Sequence, residues 1–195
     1  MKVLIAIDSM KGSLNSMEAG RAAAEGIRRA KPEAVITVKP LADGGEGTLQ
    51  ALTEGLGGRM ETVQVRGPLG DLVQACYGIL PDGKTAVMEM AEASGLALVP
   101  REKLDPRRAS SFGTGQMIRE AIRQGCRDFI IGIGGSATTD GGAGMLSALG
   151  YEFLDEEGRA VEPGIEALDR IVCIRSEQKP PELEQCRFRI ACDVS

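Results

Sequence analysis

The chain of 195 residues contains no histidine. A serine–histidine–aspartate triad, a histidine metal site and an imidazole base are therefore excluded within it. Any catalytic base must come from Asp, Glu, Lys, Tyr or Cys, and aspartate is the natural candidate. Long apolar runs are also lacking, because the N-terminal run covers only five residues before Asp8 and no later run approaches a membrane span. We expect a cytoplasmic protein that has no membrane partner.

A basic surface is missing as well. The 28 acidic residues outnumber the 23 Lys and Arg residues, which gives a net charge of −5. The sequence also contains no run of basic residues. A nucleic-acid partner is therefore not expected. The five cysteines are odd in number and form no C-x-x-C motif, which predicts buried reduced thiols rather than a disulfide framework or a zinc site.

Strand-like and helix-like patterns alternate along most of the chain. Apolar strand patterns cover 2–8 and 128–135, and 34–45 repeats a strand followed by a loop. An amphipathic helix pattern covers 16–30, and further helix patterns cover 46–57, 113–125 and 142–150. The first helix pattern has Asn15 or Ser16 as its cap. Such alternation predicts the α/β class, with a Rossmann-like doubly wound parallel sheet.

Residues 59–91 follow a different pattern. Alternating polar and apolar residues with a "PDGK" turn predict antiparallel strands that have no crossover helix between them. We therefore expect a second, smaller α/β domain. Its part in this chain is residues 59–106, and the Rossmann-like domain comprises 1–58 and 107–195, incomplete at its C-terminal end.

Polar residues collect where the predicted parallel strands end. They follow the first strand at residues 8–13, the second at 42–47, and the third in a glycine loop, defined here as residues 134–140. Ligands of open parallel sheets bind outside the carboxyl ends of the strands. The three loops are therefore expected to converge on one crevice.

The glycine loop lies within "FIIGIGGSATTDGGAGM" (129–145) and allows three interpretations. Gly132-x-Gly134-x-x-Ala137 fits a dinucleotide fingerprint, with Glu152 as the ribose-binding acid. Alternatively, backbone N–H groups at a helix N-terminus form a phosphate cradle, helped by three hydroxyls, those of Ser136, Thr138 and Thr139. In the third interpretation the glycines only make tight turns.

Two other segments could supply charged groups to such a cradle. No Walker lysine follows the loop, but Lys11 in "DSMKGS" lies at the end of another strand, where it is either a phosphate ligand or a solvated lysine. "LADGGEGT" (41–48) places Asp43 and Glu46 among three glycines before a helix. These carboxylates could cap the helix, hold Mg²⁺ beside phosphates, or take a proton from a hydroxyl.

Five blocks in order carry a family resemblance: "DSMKGSLNS", "PLADGGEGT", "EASGLAL", "SSFGTGQMIREAI" and "GIGGSATTDGGAGMLSALG". The chain resembles the glycerate kinase family over essentially its whole length. Met10 and Thr139 depart from the residues expected there, Phe and Asn. The resemblance implies ATP-dependent phosphorylation of D-glycerate, generally to 2-phosphoglycerate, by two α/β domains with the site between them. It also implies a longer protein, because "IACDVS" matches only the start of a family block.

The resemblance and the chemistry of phosphoryl transfer together suggest roles for individual residues. Lys11 would neutralise phosphate or carboxylate charge, and Asp43 or Asp193 would act as the base or hold the Mg²⁺ that accompanies ATP. Phosphate or glycerate would be bound by Ser13, Gly44, Gly45, Glu46, Gly134, Gly135, Ser136, Thr138 and Asp140. A NAD-dependent oxidoreductase and a non-catalytic ligand-binding module are the alternatives, and homodimer formation stays open.

Overall fold

The computed structural model describes residues 1–10, 13–41, 47–162 and 165–192 of the chain. The strands, in chain order, are β1 Lys2–Ile7, β2 Val35–Pro40, β3 Arg59–Arg66, β4 Leu72–Ile79, β5 Thr85–Glu89, β6 Asp128–Gly132, β7 Glu152–Leu154, β8 Cys173–Arg175 and β9 Arg187–Ala191. The α-helices are α1 Ser16–Ala30, α2 Thr48–Gly55, α3 Ala91–Ser94, α4 Phe112–Arg123 and α5 Ala143–Ala148. The predicted α/β class is confirmed.

Helix α1 begins where the sequence predicts, with Asn15 as its cap. The Asn15 side chain accepts the Glu18 N–H at 2.9 Å, and the Glu18 carboxylate accepts the Asn15 N–H at 2.9 Å. This capping box satisfies two of the donors that a helix N-terminus leaves unpaired. On its buried face α1 approaches β2 so closely that a Cβ on Gly20 would collide with Val38. The helix therefore covers one face of the β1–β2 pair.

The main sheet contains five strands in the order β3-β4-β5-β6-β9. Its β3-β4-β5 half is antiparallel, and its β5-β6-β9 half is parallel. Strands β1 and β2 pair in parallel in a separate two-stranded sheet, and β7 and β8 form an antiparallel ribbon. Strand β6 thus shares a sheet with the strands of 59–89, whereas β1 and β2 pair with each other. The division of the whole protein into two domains stays a prediction.

The principal core lies between the five-stranded sheet and α4. Its fully buried side chains include Tyr77 and Phe129 from the sheet and Met117 and Ile118 from α4. Apolar residues of α4 recur at helical spacing, which fits one face of the helix to the sheet. At its start α4 lies against β3, where a Cβ on Gly113 would collide with the sheet backbone.

Helix α2 lies between the two sheets and contacts both. A Cβ on Gly55 would lie 2.6 Å from Cγ of Pro40, the last residue of β2. On the other side, Thr53 packs against Gly78 of β4 so closely that no side chain fits there. These contacts fix the β1–β2 pair against the main sheet.

The five cysteines all lie within the described residues, and none of them forms a disulfide bond. Cys126 is buried, and desolvation raises its pKa above the ordinary thiol value. Cys173 and Cys192 are exposed, so the prediction that the thiols are buried does not hold for these two. Within the part of the chain that the structure describes, no helix is both long enough and apolar enough to cross a membrane.

Candidate functional site

The carboxyl ends of β1 and β2 lie side by side. Ile7 pairs with Pro40 in the parallel register, and the Leu41 N–H donates to the Ile7 carbonyl at 2.9 Å. The Ser16 hydroxyl at the start of α1 donates to the Leu41 carbonyl at 3.2 Å. The segments that follow the two strands therefore start from the same edge, as the sequence predicts.

The carboxyl ends of β5, β6 and β9 form a second edge, from which the glycine loop begins. Glu89 pairs with Gly132, and the Met90 N–H donates to the Gly132 carbonyl at 2.9 Å. Ala191 pairs with Gly132 on the other side. Strand β9, which ends two residues before Asp193 in the sequence, is thus parallel to β6.

The glycine loop is paired along its first half with the segment that follows α3. Ser136 forms a β-bridge with Gly95, the Leu96 N–H donates to the Gly135 carbonyl at 2.8 Å, and the Ala137 N–H donates to the Ser94 carbonyl at 2.9 Å. Gly135 has a φ of +72°, a conformation that side-chain-bearing residues rarely adopt. This pairing explains why "EASGLAL" and the glycine loop occur together.

Two hydroxyls of the loop form a pair near its tip. The Ser136 and Thr138 hydroxyl oxygens lie 3.0 Å apart, and the Ser136 oxygen also accepts the Thr138 N–H at 3.0 Å. Ser136 is exposed and Thr138 is half-buried. The Thr139 hydroxyl is engaged differently, because it donates to the Pro106 carbonyl at 3.0 Å. The Ser136–Thr138 pair therefore places two neighbouring hydroxyl groups near the surface of the loop.

Asp140 is buried at the end of the loop, with only 1% of its surface exposed. Its Oδ2 accepts hydrogen bonds from the Ser111 N–H at 2.8 Å, the Ser111 hydroxyl at 2.9 Å and the Gly144 N–H at 3.2 Å. Its Oδ1 accepts the Gly142 N–H at 3.1 Å. The carboxylate thus connects the start of α4 to the start of α5.

The first N–H groups of α5 are consequently used within the protein. The Ala143 N–H donates to the Asp140 carbonyl at 3.0 Å, and the Met145 N–H donates to the Ser111 hydroxyl at 2.9 Å. Helix α5 has only six residues. The predicted cradle at this N-terminus is therefore filled by the protein's own carboxylate, and the exposed part of the loop lies before Asp140.

The 105–108 segment borders the loop through its contact with Thr139. Arg107 donates to both carboxylate oxygens of Asp105, at 3.0 and 3.1 Å. This pair holds the pKa of Asp105 below its usual value, chiefly through the side-chain hydrogen bond from Arg107. A guanidinium and an ionised carboxylate therefore stand beside the glycine loop.

Glu89 was given no role in the sequence analysis, yet it connects the end of β5 to the first turn of α2. This side chain is only 6% exposed, and its Oε1 accepts the Leu49 N–H in the first turn of α2 at 2.8 Å. The sequence signal was a glutamate that ends the apolar run "TAVM" (85–88), since glutamates are rarely buried unless paired. Through this hydrogen bond, the helix that follows the second predicted loop is attached to the strand edge from which the glycine loop begins.

Several predicted site residues lie outside the described residues: Lys11, Asp43, Gly44, Gly45, Glu46 and Asp193. Ser13 is described; it is exposed, and its N–H donates to the Met10 carbonyl at 2.8 Å. Across residues 1–10, 13–41, 47–162 and 165–192, no three Cys, Asp or Glu side chains cluster in a way that could hold a metal ion.

The geometry disfavours the dinucleotide interpretation of the glycine loop. In that fingerprint the last small residue packs at the start of the helix. Here α5 begins six residues after Ala137, and Glu152 lies on the β7–β8 ribbon, where it accepts a hydrogen bond from Gln178 at 2.8 Å.

Comparison with known proteins identifies the family. The profile of the glycerate kinase family matches residues 3–195. The chain is 46% identical over 192 residues to a glycerate kinase of Halalkalibacterium halodurans and 47% identical over 195 residues to the glycerate 2-kinase of Escherichia coli. These matches cover 98% and 100% of this chain, and 50% and 51% of the relatives.

A solved structure matches the fold of this chain as well. The crystal structure of a Salmonella typhimurium LT2 protein assigned as glycerate kinase 2 superposes with a TM-score of 0.94 at 45% identity, covering 100% of this chain and 52% of the other. The chain therefore spans about half the length of the relatives it matches. On the match over residues 3–195, this chain belongs to the glycerate kinase family.

Proposed function

We propose that the full-length protein containing this chain transfers the γ-phosphate of ATP to D-glycerate. The observation that carries the proposal is the family match across residues 3–195. The relative from Escherichia coli is named a glycerate 2-kinase, which favours 2-phosphoglycerate as the product. The described fold supports the proposal, because the first two predicted loops start from one strand edge and the helix after the second loop is hydrogen-bonded to Glu89, at the edge from which the glycine loop begins.

Phosphoryl transfer suits a chain that has no histidine. The reaction needs alignment of the two substrates and neutralisation of phosphate charge more than it needs covalent catalysis. Lys11 supplies the positive charge in this proposal, and Asp43 or Asp193 accepts the proton of the glycerate hydroxyl. These roles rest on the sequence, since the three residues lie outside the described part of the chain.

Magnesium would accompany ATP and neutralise charge on the phosphate oxygens when bound. Asp140 does not fit this metal, because it is buried and already accepts four hydrogen bonds from protein donors. Glu89 is also buried, and it holds the start of α2. Asp43 and Asp193 therefore stay the proposed magnesium ligands.

The exposed part of the glycine loop is the proposed phosphate or glycerate site. Gly134, Gly135, Ser136 and Thr138 lie before the buried Asp140, and the Ser136–Thr138 hydroxyl pair can donate to anionic oxygens. In this proposal Asp140 fixes the end of the loop through its hydrogen bonds and does not touch the ligand. Ser13, Gly44, Gly45 and Glu46 stay proposed ligand-binding residues on the sequence alone.

A thermal-shift comparison on the full-length protein tests this proposal against its alternatives. Ligands that bind only the folded state stabilise it, by about 2.7 kcal/mol at a concentration 100 times the Kd. We expect Mg·ATP and D-glycerate each to raise the Tm, and NAD to leave it unchanged. A shift with NAD alone would favour the oxidoreductase, and a shift with D-glycerate but not Mg·ATP would favour a non-catalytic binding module.

Neither a cytoplasmic location nor a homodimer is tested by the structure, and both stay predictions. The same holds for the expectation that the protein binds neither nucleic acid nor membranes.

A further inference from the structure

Glu89 lies at the strand edge from which the glycine loop begins, and it is hydrogen-bonded to helix α2. It is the last residue of β5, and its Cα pairs with Gly132 at the end of β6, two residues before the glycine loop. Its carboxylate accepts the Leu49 N–H of α2 at 2.8 Å. Helix α2 begins shortly after residues 42–46, which carry the predicted Asp43 and Glu46.

The environment of this hydrogen bond makes it hard to replace. Leu49 lies in the first helical turn, where N–H groups have no partner within the helix. Both residues are buried, with Leu49 4% and Glu89 6% exposed, so water is poorly placed to take over either role. A carboxylate also suits the positive end of the helix dipole. Removing the acceptor would leave the start of α2 without this attachment to β5.

We propose that Glu89 is a positioning residue for the phosphoryl transfer. It acts through Leu49 by holding the first turn of α2 beside the edge from which the glycine loop starts. The point at which residues 42–46 rejoin the described chain is thereby fixed relative to the Ser136–Thr138 hydroxyl pair. This inference rests on the proposed kinase function.

The test compares three Glu89 variants of the full-length protein with a matched core variant. Glu89→Gln keeps an oxygen that can accept the Leu49 N–H, Glu89→Ala removes it, and Glu89→Asp keeps the charge on a side chain too short to reach. Met117→Ala is the control, because Met117 is fully buried in α4 and contributes packing to the principal core. Steady-state kcat and KM for both substrates are measured where all variants are folded.

We expect Glu89→Ala and Glu89→Asp to lower kcat/KM by roughly 100-fold, the scale expected when reacting groups are misplaced by about 1 Å. Glu89→Gln is expected to recover most of this loss, and Met117→Ala to keep the wild-type kcat/KM despite a lower Tm. Wild-type kinetics in Glu89→Asp would overturn the proposal, as would an equal loss in Met117→Ala. If Glu89→Ala does not fold, the test rests on the kcat/KM values of Glu89→Gln and Glu89→Asp. A higher kcat/KM in Glu89→Asp than in Glu89→Gln overturns the proposal.

Amide hydrogen exchange of residues 47–55 gives a readout independent of activity. Faster exchange in Glu89→Asp than in Glu89→Gln supports the attachment of α2, and equal exchange in both overturns it. If the wild-type protein turned over no D-glycerate, the proposed function would fail, and the exchange measurement alone would decide the role of Glu89.

Discussion

A buried carboxylate such as Asp140 is tolerated in the fold only because protein donors replace the water that it loses. Its four hydrogen bonds come from residues at the starts of two helices, Ser111 before α4 and Gly142 and Gly144 at α5. Hydrogen bonds to an ionised group are stronger than those between neutral groups. This carboxylate therefore fixes the end of the glycine loop.

Asp140→Asn tests that account. The substitution replaces one carboxylate oxygen, a hydrogen-bond acceptor, with an NH2 group that donates and would face protein N–H groups. We therefore expect the free energy of unfolding to fall by roughly 2–4 kcal/mol. Urea unfolding of the full-length protein measures the change. Asp169→Asn, at an exposed position, is the control and should change stability by less than about 0.5 kcal/mol. Unchanged stability with lost turnover would instead favour the direct ligand role predicted from the sequence.

Only part of this residue-scale account was accessible from the sequence. Ser136, Thr138 and Asp140 stand in a motif, so the sequence marked them, but it could not tell an exposed hydroxyl from a buried anchoring carboxylate. Glu89 stands in no motif, and its role depends on Leu49, 40 positions earlier in the chain. Local patterns do not contain such pairings between distant residues.

At the scale of elements, the close approach of α4 and α5 depends on glycine. A Cβ on Gly115 would lie 2.7 Å from the Ala148 Cβ and 3.0 Å from the Met145 backbone carbon. A Cβ on Gly144 would lie 2.7 Å from the Asp140 carboxylate. The spacing of these two helices, and with it the position of the glycine loop, therefore requires residues without side chains.

Gly115→Ala and Gly26→Ala form a matched pair that tests this requirement. Both glycines are inside helices, but a Cβ on Gly26 in α1 would meet nothing within 4 Å. We expect Gly115→Ala to destabilise the fold by about 3 kcal/mol through overpacking. Gly26→Ala should stabilise it by about 0.5–1 kcal/mol through helix propensity. Equal effects in thermal or urea unfolding would contradict the close helix contact.

The elements themselves were largely predictable, whereas their pairing was not. Helix α1 and its Asn15 cap follow from periodicity and cap chemistry, and β1, β2 and β6 from short apolar runs. The partners of β6 could not be predicted, because the apolar pattern of a buried strand does not say which other strand lies beside it. The antiparallel strands of 59–89 were recognised, but not their place in the same sheet as β6.

At the scale of the molecule, the β1–β2 sheet has one face that the described residues leave exposed. Parallel sheets are normally covered on both faces. Here α1 covers one face, while Leu4 and Val35 on the other are 66% and 63% exposed. The relatives are about twice as long as this chain. Activity should therefore be measured on the full-length protein.

The most direct test of the central claim is a coupled assay of ADP release by the full-length protein with Mg·ATP. We predict saturable turnover that depends on D-glycerate, because the glycerate kinase family match covers residues 3–195. Lys11→Ala should lower this turnover by orders of magnitude and leave the Tm nearly unchanged, since the proposed role of Lys11 is to supply charge. Absence of any glycerate-dependent ADP release from the folded wild-type protein would contradict the account.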